Sequence, residues 1–522
     1  MLSTLKNIQN MRNSIFFSGV ILFILIGYLG WIKLGYGFNF IDEGYHMAES
    51  WRITAGDGLL YNPTGAVLLY KIFNSAIYQF KPDITLLGFR QLQFSLTIIS
   101  LLIFSFSLYL STKEYWHLPI IFSVFAFTGL DPSGMISNLN YYTYPHLFLT
   151  FFLSFLLLGM YVNHQLAKKF LYVLSGLFLG AIGISLLYLC PVYCVPVLLL
   201  LISKKSKNQL FVFSMGDMFW VLLPIILFWS IFIILYNLEY INSIHYAIEL
   251  FSSTRTYSSN QLASSLSGVY GYIGIVIIFL ILFIFFYKKT LGIFKLISLI
   301  ALCLSMYIII ETSAFGWIAP YYKGWFGRPM WFSALFIVFI CIFWFHIIKK
   351  HIKKKNYNKI DILCTIMLIP VTTMSILTTF FSGLNALTIL HTGIPLVAAL
   401  SYLLFFAETK EKQSVFIKFL CLCFLLIPFY YTTAWADWRF TYFDVIPKQA
   451  DKEITKGFGK GIKTNRVYHK LYQWIDATTN KYTIRGDYMA SNNISPKANM
   501  IAKRPPSVYD TFSDFSERPF SF

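Results

Sequence analysis

Charge is what this chain most lacks. Asp, Glu, Lys and Arg make up 12% of its 522 residues, whereas a soluble domain carries roughly a quarter. With 57% of the residues apolar, the deficit excludes an ordinary water-soluble globule, and the solvent for most of the surface must be lipid. Cysteine is absent from the segments between the apolar runs. All seven (Cys190, Cys194, Cys303, Cys341, Cys364, Cys421, Cys423) fall inside hydrophobic stretches, which argues for small packing residues and against a disulfide framework. No cleavable leader is expected. Lys6 and Arg12 precede an apolar run from Ser14 to Ile32 that is too long for a signal h-region and lacks a small-residue cleavage site, so it reads as a retained first transmembrane helix. No internal repeat of clear period and no low-complexity tract is present.

What is there is a succession of apolar runs, each near the roughly 20 residues that cross a hydrocarbon core as a helix. After the first, spans are expected near 91–112, 118–132, 144–162, 171–187, 189–203, 217–236, 269–287, 291–311, 330–348, 361–380, 387–407 and 415–432, about thirteen in all. The formal net charge of +19 does not imply nucleic acid, because the basic residues sit between the spans. Lys113, Lys168, Lys169, Lys204, Lys205, Lys207, Lys288, Lys289 and the cluster from Lys349 to Lys359 all fall on one side of that threading, as the positive-inside rule requires. The expected protein is all-α and multi-pass, of the bacterial inner (plasma) membrane, with a cytoplasmic N-terminus and an extracytoplasmic C-terminus. Residues 1–432 form the membrane unit and 433–522 a small extracytoplasmic α/β appendage.

On the outer side, the longest early loop spans 35–90. Met47–Ala55 and Val67–Phe80 are helix-compatible there, separated by the Asn62–Pro63–Thr64–Gly65 turn. Val67, Leu68, Ile72, Phe73 and Ile77 can lie on the membrane surface while Lys71 and Asn74 face elsewhere, so these read as interfacial helices. Shorter outer loops are expected at 131–143, 237–268, 312–329 and 381–386. In the tail, 465–478 has helical spacing with Val467, Leu471, Trp474 and Ile475 on one face, and Tyr488–Ser491 reads as a short strand after the Gly486–Asp487 turn.

The chemistry concentrates in Asn39-Phe40-Ile41-Asp42-Glu43-Gly44-Tyr45-His46. Two adjacent carboxylates at a membrane boundary need solvation, a partner or a cation. Capping and dipole interaction with the following helix justify one acid; a catalytic role would justify both. Cations expected on the outer side are few: Lys71, Arg90, Arg255, Lys323 and Arg328. The last two sit in Trp317–Arg328, where Tyr321, Tyr322 and their aromatic neighbours either line a substrate or form an interfacial belt with snorkelling cations. Asp131 opens an Asp-Pro-Ser-Gly turn. His46 and His146 flank the acidic segments, so Asp42, Glu43 and His46 are candidates for a divalent metal cation, though no recognised ligand spacing appears. Asn385 and His391 stand near the outer end of a late span.

A hydrophobic first helix, an Asp-Glu pair at its outer end, Trp51-Arg52, the turn Gly56-Asp57-Gly58 and Leu87-Gly88-Phe89-Arg90-Gln91 follow one another in an order that resembles the opening of the GT-C class of membrane glycosyltransferases. This class includes protein O-mannosyltransferases and the lipid A aminoarabinose transferase. Ser137–Tyr142 resembles the family's second outer loop, Leu174–Gly183 its Gly-rich following helix, and Gly459-Lys460-Gly461-Ile462, Gly486-Asp487-Tyr488 and Arg504-Pro505-Pro506 the trailing domain of bacterial members. The resemblance implies inverting transfer of a sugar from a polyprenyl-phosphate-linked donor to the hydroxyl of a protein, lipid or glycan acceptor. Asp42 matches the family's catalytic aspartate, the general base, with Glu43 beside it to tune its pKa, bind the acceptor or hold a cation. Asp131 matches a second acidic position. The cations would meet the leaving lipid phosphate. Two other readings share this hydropathy. A transporter or flippase of lipid-linked sugars would concentrate ionisable and helix-breaking residues at mid-membrane, whereas here they gather at one boundary. A polysaccharide polymerase or ligase would use a large central loop rich in Arg and His, whereas 237–268 offers His245 and Arg255.

Overall fold

The computed structural model describes residues 2–38, 42–56, 69–112, 143–205, 213–254, 359–381, 449–484, 487–489 and 497–505, with helical pieces inside 273–285 and 337–348. Helix dominates them. In chain order the helices are α1 (Leu2–Lys33), α2 (Asp42–Thr54), α3 (Leu69–Phe80), α4 (Leu86–Thr112), α5 (Thr143–Tyr161), α6 (Gln165–Ser185), a 3-10 segment (Leu187–Cys194), α7 (Val195–Lys205), α8 (Met215–Thr254), α9 (Lys359–Phe381), α10 (Arg466–Tyr482) and α11 (Lys497–Ala502). Among the described residues five segments are long and apolar enough to cross a bilayer: Phe16–Lys33, Leu86–Thr112, Thr143–Tyr161, Gln165–Ser185 and Met215–Ile234. They suit an integral membrane protein, and the side chains agree. Ile21, Ile24 and Tyr28 on α1 and Ile226, Ile231 and Ile234 on α8 stand exposed, a surface that lipid solvates and water does not. The expected spans over 118–132, 291–311, 387–407 and 415–432 lie outside the described residues.

α4, α5, α6 and α8 pack in sequence, and small or hydroxylated residues sit where the helices meet. Apolar side chains gain little over lipid by packing on one another, so close backbone approach and interhelical hydrogen bonds do that work. Ser107 donates to the Ser154 carbonyl at 3.0 Å and Ser175 to the Phe152 carbonyl at 3.2 Å. Gly159 leaves room for the ring of Tyr172, and any side chain at Gly176 would collide with the Val221 carbonyl of α8. The N-termini carry their own caps. Thr85 accepts from the Gly88 amide, His164 from Ala167, and at α8 Ser214 and Asp217 cap each other's amides reciprocally while Asp217 also pairs with Lys168.

Two membrane expectations change. The run expected as one span over 189–203 is a 3-10 segment followed by α7, because Pro191 supplies no amide hydrogen for a continuous α-ladder. The loop expected at 237–268 is helical as far as Thr254, since α8 is 40 residues long. Asn237–Thr254 contains no Gly or Pro, and its Leu238, Ile241, Ile244, Ile248 and Phe251 keep helical spacing.

α2 and α3 lie side by side. His46 meets Tyr70, Glu49 meets Lys71, and Thr54 meets Ser75, so the contacts advance in the same direction along both helices. Lys71 and Asn74 are buried, while Phe73 is exposed and Ile72 and Ile77 half-buried; Lys71 turns toward α2 and Asn74 toward α5. The tail segment adds a two-stranded antiparallel sheet, β1 (Lys452–Glu453) with β2 (Lys463–Thr464), paired Lys452 to Thr464. β2 also bridges in parallel to Tyr36, just beyond α1: the Lys463 amide donates to the Gly35 carbonyl at 2.7 Å and the Gly37 amide to the Lys463 carbonyl at 2.8 Å. α10 begins as expected, with Asn465 capping the Tyr468 amide, but its inward face is Tyr472, Ile475 and Thr479. Of the four residues read as one face, Ile475 is buried while Val467 and Trp474 are exposed. Tyr472 takes the inner place because its hydroxyl accepts from the Gly459 amide at 2.8 Å while its ring stacks on Phe38.

Candidate active site

The best-defined polar centre stands where α1 ends and α2 and α4 begin. Lys33 closes α1, a turn follows, and Gly37 has φ 72°, a left-handed conformation that suits glycine. From the first turn of α4, Arg90 reaches into this junction. Its Nε donates to Glu43 Oε1 at 2.8 Å and its Nη2 to Glu43 Oε2 at 2.6 Å. Nη2 also donates to the Gly37 carbonyl at 3.0 Å, and Nη1 to the Leu34 carbonyl at 2.8 Å with a longer contact to Tyr36 at 3.5 Å. All five guanidinium hydrogens thus meet protein acceptors, and both side chains are 0% exposed. Two desolvated charges are tolerable only with such full satisfaction. The geometry needs a planar fork, which lysine cannot supply.

A second buried network lies between α2 and α3. Lys71 donates to Glu49 Oε2 at 2.9 Å, and Arg52 approaches the other oxygen at 3.6 Å. The Tyr144 hydroxyl, from α5, donates to Asn74 Oδ1 at 3.0 Å, tying this layer to the bundle. His46 packs edge-on against Tyr70, ring centres 5.1 Å apart. Burial lowers its pKa to about 3, with Glu49 opposing and Lys71 assisting, so the imidazole is neutral at physiological pH.

The tail covers the same corner. The Leu86 amide, at the start of α4, donates to the Phe458 carbonyl at 2.8 Å, and the Phe458 ring lies edge-on to Trp51 of α2 and Phe89 of α4. Lys503 donates to the carbonyls of Pro82 and Ile84 and lies over the rings of Tyr78 and Phe458. Arg504 bonds Thr483 and the Ala502 carbonyl, and the Met489 amide bonds the Pro505 carbonyl. Residues of the Gly459–Ile462 and Arg504–Pro505 motifs therefore hold the tail together, and their neighbours Phe458 and Lys503 hold it against the start of α4.

Of the residues singled out in the sequence, Asp42, Glu43, His46, Lys71 and Arg90 converge on these helices. Asp42 opens α2, one residue before Glu43 and one turn before His46. Glu43 and Arg90 saturate each other, which makes them positioning groups for the α2 N-terminus and leaves Arg90 no hydrogen for a phosphate in this arrangement. Lys71 is engaged with Glu49. His146 is half-buried on α5. Asp131, Arg255, Tyr321, Tyr322, Lys323, Arg328, Asn385 and His391 lie outside the described residues. Of the metal candidates Asp42, Glu43 and His46, Glu43 accepts a hydrogen bond from Arg90 on each oxygen. Among the described residues no group of three His, Cys, Asp or Glu is placed to hold a metal ion.

Sequence reasoning missed Glu49 and Tyr144, and named Arg52 and Asn74 without placing them at the site. The available signal was the i, i+3 pair Glu49–Arg52 on the helix that also carries Glu43 and His46. No known protein family and no curated protein matches the chain.

Proposed function

We propose that this protein is an inverting membrane glycosyltransferase of GT-C type, using a polyprenyl-phosphate-linked sugar on the extracytoplasmic side of a bacterial inner membrane. The observation that carries the reading is the Arg90 clamp. By bonding Glu43 and the carbonyls of Leu34 and Gly37, it holds the α2 N-terminus rigidly at the end of α1, where Asp42 begins the helix. A general base must be held to a fraction of an ångström, and this junction is built to do that. Asp42 takes the proton of the acceptor hydroxyl. The acceptor oxygen bonds to the anomeric carbon from the face opposite the phosphate, the glycosyl carbon–oxygen bond breaks, and polyprenyl phosphate leaves carrying the electron pair. With Arg90 and Lys71 committed to carboxylates, the leaving phosphate falls to Arg255, Lys323 and Arg328, and Tyr321 and Tyr322 line the sugar or prenyl chain. About thirteen spans, a cytoplasmic N-terminus and an extracytoplasmic tail domain over 433–522 complete the proposed architecture.

The test is transfer of radiolabelled sugar from a panel of polyprenyl-phosphate donors in membranes carrying the wild type or Asp42→Asn at matched protein levels. The expected loss is about 10²–10⁴-fold, the usual worth of a general base. Equal transfer by both proteins overturns the base assignment, and absence of transfer with every donor overturns the reaction.

A further inference from the structure

One side of α10 carries apolar and aromatic residues with little cover. Val467 is 73% exposed and Trp474 58%, and Tyr482 and Ile484 at the helix end are still more open than Trp474. Lys470 and Lys481 are exposed on the same side. At about 100° per residue, Val467, Lys470, Trp474, Lys481 and Tyr482 fall within roughly a 120° arc. Aromatic and aliphatic groups interleaved with lysines along one helix face are what an interfacial helix presents to headgroups.

The position of α10 says which surface is near. β2 ends one residue before its cap, and Lys463 of β2 is hydrogen-bonded to residues 35 and 37, immediately after the candidate span Phe16–Lys33. Two residues separate Lys463 from Arg466, so α10 starts within roughly 15 Å of the point where α1 leaves the bilayer. The surrounding segment is basic, with seven Lys and Arg against three Asp and Glu over 449–484. We propose that this stripe rests on the bilayer surface itself, with Trp474 and Val467 at the headgroup–acyl boundary and Lys470 and Lys481 against anionic headgroups. The tail then has two anchorages, one on α2 and α4 through Phe458 and Lys503 and one on lipid through α10. This inference is independent of the glycosyl-transfer reading.

The test uses the full-length chain carrying photoreactive benzoylphenylalanine at 467, 474 or 480, reconstituted in vesicles of phosphatidylcholine and phosphatidylglycerol with a radiolabelled lipid tracer. Asn480 is exposed but lies about 140° from the centre of the stripe. The expected result is lipid adducts at 467 and 474 several-fold above those at 480. Equal yields at the three positions, or adducts to protein in place of lipid at 467, overturn the proposal. In a second arm the 467 probe is kept and Lys470→Gln and Lys481→Gln are combined. Lipid adducts should fall several-fold, and an unchanged yield overturns the assignment to an anionic surface.

Discussion

Arg90→Met tests the junction most directly, because it removes five donors from a fully buried cluster without emptying the volume. Glu43 would be left as a desolvated carboxylate with its bidentate partner gone, and breaking a buried pair from one side costs about 3–5 kcal/mol. The carbonyls of Leu34 and Gly37 lose donors at 2.8 and 3.0 Å, adding about 1 kcal/mol each. The expected total is about 5–7 kcal/mol, a large share of a typical folding free energy of roughly 5–15 kcal/mol. Glu43→Met leaves Arg90 with its carbonyl acceptors and should cost less, about 2–4 kcal/mol. The double variant removes the buried charge pair altogether and should fall well short of the sum, leaving mainly the carbonyl penalty of about 2–3 kcal/mol. Equilibrium unfolding in mixed detergent micelles, followed by tryptophan fluorescence, measures all four corners of the cycle. Additivity within about 0.5 kcal/mol, or an Arg90→Met protein as stable as wild type, would refute the clamp.

Other consequences can be checked on the same preparation. His46 stays neutral in the fold down to about pH 3, whereas in the unfolded chain it takes up a proton below about 6.5. The unfolded state therefore binds more protons between those values, and stability falls as pH drops through that window by up to about 1.4 kcal/mol per unit. His46→Asn should make the fall shallower, and identical pH profiles would sink the assignment. Gly176→Val should cost about 1–3 kcal/mol or more, because it meets backbone of α8. Gly180→Ala should be nearly neutral, its added carbon lying 3.6 Å from Ile225; equal effects of the two would contradict the α6–α8 crossing. Tyr472→Phe strands the Gly459 amide and the Lys456 carbonyl, at about 1–3 kcal/mol. Amide exchange over 457–462 should accelerate, and protection unchanged from wild type would show that the hydroxyl is not holding this turn.

How far the sequence could be read depended on the kind of information each feature carries. Hydrophobic run length is local, so the spans over 91–112, 144–162 and 217–236 were close to α4, α5 and the first part of α8. The polar face of α3 was legible because Lys71 and Asn74 interrupt an apolar period. The end of α8 was not, since Asn237–Thr254 is polar enough to pass for a loop while retaining helical spacing. The tail helix misled for a different reason. Val467 and Trp474 are among the most apolar residues on α10, yet Tyr472 joins Ile475 in the inner position because it satisfies backbone groups at 456 and 459 that apolar residues cannot.

The amino-acid sequence by itself determined the solvent of this protein, the helical character of its membrane segments and the crowding of acids and bases into the stretch from Asp42 to Arg90. Composition and spacing are sufficient for those, because burial in lipid forces each helix to satisfy its own backbone. Only the tertiary structure decided which charge meets which. Arg90 selects Glu43 across 47 positions of chain, Lys71 selects Glu49, and Lys463 of the distant tail joins the turn that Arg90 grips. A buried charge takes the partner that packing brings within hydrogen-bond reach, and that choice depends on how helices far apart in the chain are laid beside one another.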